Sequence, residues 1–308
     1  MIRTAWPHDL PALRALFARA NDAPYDLAAV AEEKCFGLGI AGQPCVRVYD
    51  DVQGAIVTCG KYVRILVVDR DVRRRRAGTA LLADAEARGA SVIAAEPGNY
   101  FTPGVVDSDV AATAFFHRRG YIETRFTHNL HVGTPASSPA EQGASSLPAL
   151  GTSAAIPECL AQNGRRGRRL LSRRDASVPV RRPSHEESDR LLQFVEREFG
   201  RIWRFEAAKA FETEIPNVVI AEEGGEVTGF AVHDVNNRGL GFFGPTGVVA
   251  SMRGRGIGCQ LLLASLADMR RLGYERAVIP WTDALAFYRK CSGAEPAHRF
   301  IAFAKPQP

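Results

Sequence analysis

Six consecutive residues carry the clearest chemical signal: Arg253, Gly254, Arg255, Gly256, Ile257 and Gly258. They stand between an apolar run at 242–249 and a leucine-rich stretch at 260–272 whose apolar positions recur with helical spacing. Glycines let a backbone approach a ligand closely. The unpaired N–H groups of a first helical turn, together with the helix dipole, favour a phosphate. Arg253 and Arg255 would add charge-assisted hydrogen bonds, and Cys259 continues the same turn. Two other phosphate loops are excluded by pattern. A nucleotide P-loop ends in Gly-Lys-Ser/Thr, and a dinucleotide fingerprint reads Gly-x-Gly-x-x-Gly, whereas the glycines here alternate at 254, 256 and 258.

The elements that hold this loop occur twice. Val67 to Leu82 superposes without a gap on Gly247 to Leu262: Val68 on Val248, Arg73 on Arg253, Gly78 on Gly258 and Leu82 on Leu262. Further on, Ala114-Phe115-Phe116 answers Ala286-Phe287-Tyr288, and duplication is the simplest account. Each copy opens on a helix start. Ser184 and Glu187 have the form of a capping box ahead of Leu191, Phe194 and Val195, and Asp9 precedes Leu10, Leu13 and Leu16. Strand-like runs at 218–221 and 227–232 flank the turn Glu223-Gly224-Gly225-Glu226. The order strand, helix, strands, glycine loop, helix, strand, helix predicts an α/β domain with a mixed twisted sheet flanked by helices, two in tandem. The expected limits are 1–132 for the first domain, 133–177 for a Gly/Ala/Ser/Pro- and Arg-rich linker with a short helix near Leu160 or Leu170, and 178–308 for the second.

Composition bounds the rest. A chain of 308 residues suits two domains, and 46% hydrophobic with 24% charged residues is globular. No apolar run is long enough to span a bilayer, and Met1 to Thr4 lead into fold-like sequence, so a cytoplasmic protein without a membrane partner is expected. Cys35, Cys45, Cys59, Cys159, Cys259 and Cys291 are scattered, with no zinc spacing, and a disulfide framework is not expected. The net charge of +5 fits an anionic partner, either a phosphorylated cofactor or nucleic acid. Stacking aromatics interleaved with the arginines, and any recognisable nucleic-acid module, are missing, which speaks against nucleic acid.

The form Arg253-x-x-Gly256-x-Gly258, preceded by Val-x-x and followed by a Leu-rich helix, resembles the pyrophosphate loop of the GCN5-related N-acetyltransferase (GNAT) family. Ala284 to Lys290 resembles the family's Ala-x-x-x-Tyr helix. The resemblance covers roughly 180–304 and, more weakly, 1–132. It implies acetyl-CoA as cosubstrate, direct attack of an amine on the thioester, and a fourth strand splayed from the fifth. On this chain it implies that the backbone of Val248, Val249 and Ala250 holds pantetheine and the acetyl carbonyl, and that the loop from Arg253 to Cys259 holds the pyrophosphate. Tyr288 then matches the tyrosine that protonates the departing thiolate, and Phe287 beside it reads as a core residue. Glu222, Asp234 and Asp283 are the carboxylates considered as general base. Trp281 departs from the pattern where the family often has an asparagine on the cofactor, and Gly293 lies one residue further from Tyr288 than usual.

In the first copy Arg76 replaces Gly256 and Phe116 replaces Tyr288, so that copy is expected to have lost acetyl transfer. The stretch at 97–105 has no counterpart in the second copy and is expected to form a loop reaching the neighbouring site. Layout, with Gly244-Pro245-Thr246-Gly247-Val248, is similar to glucosamine/glucosaminide N-acetyltransferases, which implies a small primary amine as acceptor and an amino sugar as its class. Mycothiol synthase pairs two such units as well, with less similar motifs. A monomer or homodimer is expected. The alternative is a non-catalytic acyl-CoA-binding or nucleic-acid-associated regulator on the same fold.

Overall fold

The computed structural model describes residues 1–99, 101–135 and 178–306. Most of the expected linker, including the expected short helix near Leu160 or Leu170, lies outside the described residues.

The first copy runs β1 (Ile2–Thr4), α1 (Leu10–Ala20), α2 (Ala31–Phe36), β2 (Cys45–Tyr49), β3 (Gly54–Cys59), β4 (Tyr62–Val68), α3 (Ala77–Glu86), β5 (Val92–Ile93), β6 (Val105–Val106), α4 (Val110–His117) and β7 (Ile122–Gly133). The second runs β8 (Val180–Arg181), α5 (Ser188–Phe199), α6 (Arg201–Ala208), β9 (Val218–Glu223), β10 (Glu226–His233), β11 (Phe243–Val248), α7 (Ile257–Arg271), β12 (Arg276–Thr282), α8 (Leu285–Ser292) and β13 (Glu295–Ala304). This is the mixed α/β architecture expected twice over. One boundary shifts. Helix α7 begins at Ile257, three residues before the apolar periodicity starts, because glycines satisfy backbone geometry without contributing to a hydrophobic pattern.

The chain divides into compact units that do not follow the sequence limits. One comprises Met1–Asn129 with His298–Pro308, and the other comprises Leu130–Ala297. The last strand, expected to close the second domain, ends in the first unit: Phe303 pairs with Ile93, and Phe300 with Val106, both antiparallel. Conversely, Leu130 and Val132 at the end of β7 belong to the core of the second unit, with Val219, Ala231 and Leu261. Strand pairing is not local in sequence, so no composition shift marks this exchange.

Both copies start with the same ion pair. Arg181 grips Glu187 at 2.6 Å while the Glu187 carboxylate accepts from the Ser184 N–H at 2.8 Å, which realises the expected capping box. Arg3 grips Asp9 at 2.7 Å, and Asp9 accepts from the Trp6 N–H. The guanidinium hydrogen bond is the main reason each carboxyl is held down at about 2.

In the second unit β8, β9, β10 and β11 form one antiparallel sheet, in the spatial order β11-β10-β9-β8. Gly224 and Gly225, both at positive φ, make the tight turn between β9 and β10. One face of the sheet carries Val218, Ile220 and Phe230, packed with Phe194 of α5 and Ala207 of α6. The other carries Val219, Ala231 and Phe243, packed with Leu261 and Tyr288 of α7 and α8. That alternation is what a sheet covered on both faces requires.

In the first unit β4 and β5 run parallel and pair only at Tyr62–Val92 and Val63–Ile93. Just beyond, Arg64 and Glu96 form a bidentate pair at 2.6 Å through both contacts, with side chains 4% and 1% exposed. Arg64 also donates to the Lys34 and Gly37 carbonyls. Gly39 is closed against the same pair, since a Cβ there would lie 2.5 Å from each partner. The described residues of the stretch at 97–105 fold into this unit: Asn99 accepts from Lys34 Nζ, Phe101 packs on Tyr25, and Gly104 lies against the Ile301 backbone.

Removing one partner of such a pair leaves an uncompensated buried charge. Arg64→Ala is expected to destabilise the protein by about 3–5 kcal/mol, read as a fall in the urea midpoint of the first unit's transition.

Candidate active site

The second unit contains a gap between two parallel strands. Phe242 bridges Val278, and the Val278 N–H donates to the Gly241 carbonyl at 2.8 Å. Beyond that point β11 and β12 belong to different sheets, so their carboxyl ends diverge. The register along β10 shows why β11 turns away. Ala231 pairs with Thr246 and His233 with Phe243, so two steps on β10 face three on β11. The extra residue is a bulge at Gly244-Pro245, where Gly244 has φ +110° and Pro245 has no N–H to give a ladder. Gly247 is the other constrained position: a Cβ there would sit 2.6 Å from the Phe199 ring, which stacks on Trp203.

The ladder also decides which backbone groups point into the gap. The Val249 N–H donates to Thr228 O at 3.0 Å, so Val249 faces β10. Alternation in an antiparallel pair then turns the neighbouring Val248 N–H outward. Of the three residues expected to offer their backbone, Val249 has its N–H committed within the sheet. The Val248 carbonyl accepts from Arg253 Nε at 3.1 Å.

Downstream, Gly254 (φ +83°) and Gly256 (φ +81°) hold left-handed conformations, and a Cβ on either would meet nothing within 4 Å. Helix α7 has Gly256 as its N-cap without a side-chain cap, and its first turn closes with Gln260 N donating to Gly256 O. The N–H groups of Ile257, Gly258 and Cys259 precede that bond and so have no partner within the helix. Arginine roles differ from expectation. Arg255 is paired bidentately with Glu223, at 2.6 and 3.0 Å, and Arg253 braces the loop through Val248.

Tyr288 sits on α8 with its ring 8% exposed, edge-on to Phe243. Burial pushes its phenol up to about 12. Phe287, expected in the core, is instead 36% exposed and lays its ring on Gly258, 3.2 Å from where a Cβ would be. Adjacent aromatics on a helix point about 100° apart, so only one of them faces the sheet, and the sequence did not say which.

The carboxylates separate cleanly. Both oxygens of Glu222 accept from guanidinium groups, Arg181 at 2.8 Å and Arg190 at 3.0 Å, so it is a structural tie and not a base. Asp234 caps a turn by accepting from the Gly239 N–H. Asp283 is exposed directly after the carboxyl end of β12, where the strands diverge. Trp281 beside it holds φ +49°, an unfavourable conformation for a bulky residue.

Cys259 and Cys291 are joined in a disulfide with Cα atoms 5.3 Å apart, contrary to the expectation of unlinked cysteines. Their separation of 32 residues in sequence hides a contact that the packing of α7 on α8 creates. Cys35 and Cys59 are buried thiols in the first unit.

The first unit repeats the loop backbone. Arg74 (φ +64°) and Arg76 (φ +67°) occupy the left-handed positions of Gly254 and Gly256, at a cost of about 1 kcal/mol each for a residue with a Cβ. Arg73 Nε bonds Val68 O as Arg253 bonds Val248 O. Ala95 (φ +53°) matches Trp281 in the second unit. What differs is the gap: Arg64 stands where the second unit has Gly244, and Glu96 where it has Thr282. Phe116 takes the buried place of Tyr288.

These features agree with known proteins. Residues 184–293 match the model of the Acetyltransferase (GNAT) family. No curated relative matches the chain in sequence. Among solved structures, the chain is similar to a GCN5-related glucosamine N-acetyltransferase region of a fungal multi-domain GH3 β-N-acetylglucosaminidase, at 18% identity and a TM-score of 0.71 over 98% of this chain. It spans 38% of that protein's length. A GCN5-related N-acetyltransferase from Sphaerobacter thermophilus matches at 18% identity and a TM-score of 0.65, covering 100% of this chain and 96% of that one. A tandem GNAT protein from the clavulanic acid biosynthesis pathway matches at 16% and 0.57, covering 100% and 99%. The unpaired edge of β11, the uncapped glycine loop and the match of residues 184–293 to the Acetyltransferase (GNAT) family model thus coincide in one unit of a chain that has the fold of tandem GNAT proteins.

Proposed function

We propose that the protein transfers an acetyl group from acetyl-CoA to a primary amine of a small molecule, with an amino sugar as the acceptor class, in the second unit alone. GNAT domains generally use acetyl-CoA as cosubstrate. The observation that carries the reading is the divergence of β11 from β12, and strand alternation turns the Val248 N–H away from β10 towards that gap, while Val248 packs against the core cluster that holds Tyr288. The loop fits a pyrophosphate: its two left-handed glycines leave open space where side chains would stand, and the first turn of α7 offers N–H groups without a capping side chain.

In this reading the Val248 N–H receives the negative charge that develops on the acetyl oxygen as the amine attacks. Tyr288, kept protonated by burial, gives its proton to the leaving sulfur. Asp283, at the open end of β12, takes the proton from the acceptor ammonium directly or through water. The fungal glucosamine N-acetyltransferase region supports the amino-sugar class by likeness of fold. The first unit serves architecture, because the Arg64–Glu96 pair fills its gap.

The decisive experiment is mass-spectrometric detection of acetyl transfer to a panel of glucosamine, glucosaminides, polyamines, aminoglycosides, amino acids and short peptides. Product confined to amino sugars is expected. Product on another amine class discards the sugar assignment, and acetyl-CoA binding without any product favours the non-catalytic regulator.

Tyr288→Phe is expected to lower kcat by about 10²-fold with acetyl-CoA affinity nearly kept, read by steady-state kinetics and calorimetry. The phenol also links stability to pH. Its folded pKa is raised from 10.0 to about 12, so the contribution is complete below pH 10 and lost as pH rises from there towards about 12. The parent protein should therefore lose more stability over that window than Tyr288→Phe does, measured by urea midpoints. Gly256→Arg, which copies the first unit, is expected to raise the acetyl-CoA Kd by about tenfold or more, since a side chain would enter the space beside the phosphate cradle.

A further inference from the structure

The two positions joined by the disulfide are tied in both copies, by different chemistry. By the gapless match of 67–82 on 247–262, Cys259 corresponds to Thr79, and by the further match of Ala114 on Ala286, Cys291 corresponds to Arg119. In the first unit the Arg119 guanidinium donates to the Thr79 hydroxyl, linking the first turn of α3 to the end of α4. In the second unit a covalent bond links the first turn of α7 to the last turn of α8. The fold therefore holds these two helices together at one place, and only the unit with the open gap does so through sulfur.

The tie lies next to the reacting groups. Cys259 belongs to the uncapped first turn of α7, two residues after Ile257. Cys291 lies one turn beyond Tyr288 on a helix of only 8 residues. Besides the bond, α8 is held by Tyr288 and Leu285 packed on the core, by the Phe287 ring on Gly258 and by an exposed Arg289–Glu295 pair, and of these only the bond ties the last turn of α8 covalently to α7. Cys259 and Cys291 are both only partly buried. Among the described residues the free cysteines Cys35, Cys45 and Cys59 all lie in the other unit, and Cys159 lies outside the described residues.

We propose that the Cys259–Cys291 disulfide is a positioning element for Tyr288, and that its redox state sets turnover. The inference rests on the reading of Tyr288 as the proton donor. In the oxidised protein the bond fixes α8 against α7, so the phenol keeps its place relative to the phosphate cradle. Reduction by two equivalents of a low-molecular-weight thiol breaks the S–S bond, gives both cysteines back their protons and releases the corresponding small disulfide. The reverse exchange restores the bond, with two electrons passing from the cysteines to the small disulfide. Binding of acetyl-CoA depends on the loop backbone and survives reduction, whereas placement of the proton donor does not.

The test compares the full-length oxidised protein, the same protein reduced with dithiothreitol, Cys291→Ser, and each state of Tyr288→Phe. Acetyl transfer to the best amine of the panel is followed by mass spectrometry, and acetyl-CoA binding by calorimetry. Reduction is expected to lower kcat by about tenfold or more, the scale on which small misplacements of a reacting group act, with the acetyl-CoA Kd changed by less than about twofold. Cys291→Ser should match the reduced protein and ignore reductant, and removing dithiothreitol in the presence of oxidised glutathione should restore the parent. In Tyr288→Phe the redox state should make no difference, because the bond acts through that phenol. Equal kcat in the two states of the parent overturns the proposal alone, as does an equal fold-loss in Tyr288→Phe. A Tyr288→Phe variant as fast as the parent overturns the reading of Tyr288 and the proposal with it.

Discussion

The second unit depends on one unmade strand pairing. After Phe242 meets Val278, β11 and β12 part, and the backbone groups of β11 that would have completed a ladder face open space instead. Exposed ladder groups are a liability for a sheet edge. Here the Gly244-Pro245 bulge enforces the divergence, since one residue lacks a side chain and the other lacks an N–H. The rest of the unit accommodates that choice. Helices α5 and α6 cover one face and pack Phe199 on Gly247, α7 and α8 cover the other, and the loop between β11 and α7 is drawn tight by Arg253 on the Val248 carbonyl.

The first unit shows the same backbone with the gap closed. Its strands β4 and β5 part after two pairs, its loop adopts two left-handed residues at the same places, and the residue after the strand end repeats the positive φ of Trp281. Yet Arg64 and Glu96 fill the space that Gly244 and Thr282 leave open. The two units thus share backbone geometry and differ in the side chains that line the gap. A buried ion pair is a weak source of net stability, and here Arg64 also satisfies the Lys34 and Gly37 carbonyls.

Ion pairs at the start of each copy and helix ties at its centre show how the same structural need is met by different residues. Arg3–Asp9 and Arg181–Glu187 anchor the first strand to the first helical turn. Thr79–Arg119 and Cys259–Cys291 anchor the two helices on the opposite face. In the first pair the chemistry is nearly unchanged, and in the second a hydrogen bond has been exchanged for a bond that thiols can break.

What the sequence determined by itself was local. The alternating glycines, the capping box at Ser184 and the hairpin at Gly224-Gly225 follow from backbone sterics within a few residues, and the repeat register was legible because side-chain types recur at fixed spacing. Tertiary structure decided everything that depends on which segments meet. It sent the last strand into the first unit, took Glu222 out of the running as a base by giving it two guanidinium partners, exchanged the burial of Phe287 and Tyr288, and joined Cys259 to Cys291. Strand pairing, ion pairing and disulfide formation join residues tens of positions apart, and their energies depend on distances that spacing along a chain does not encode.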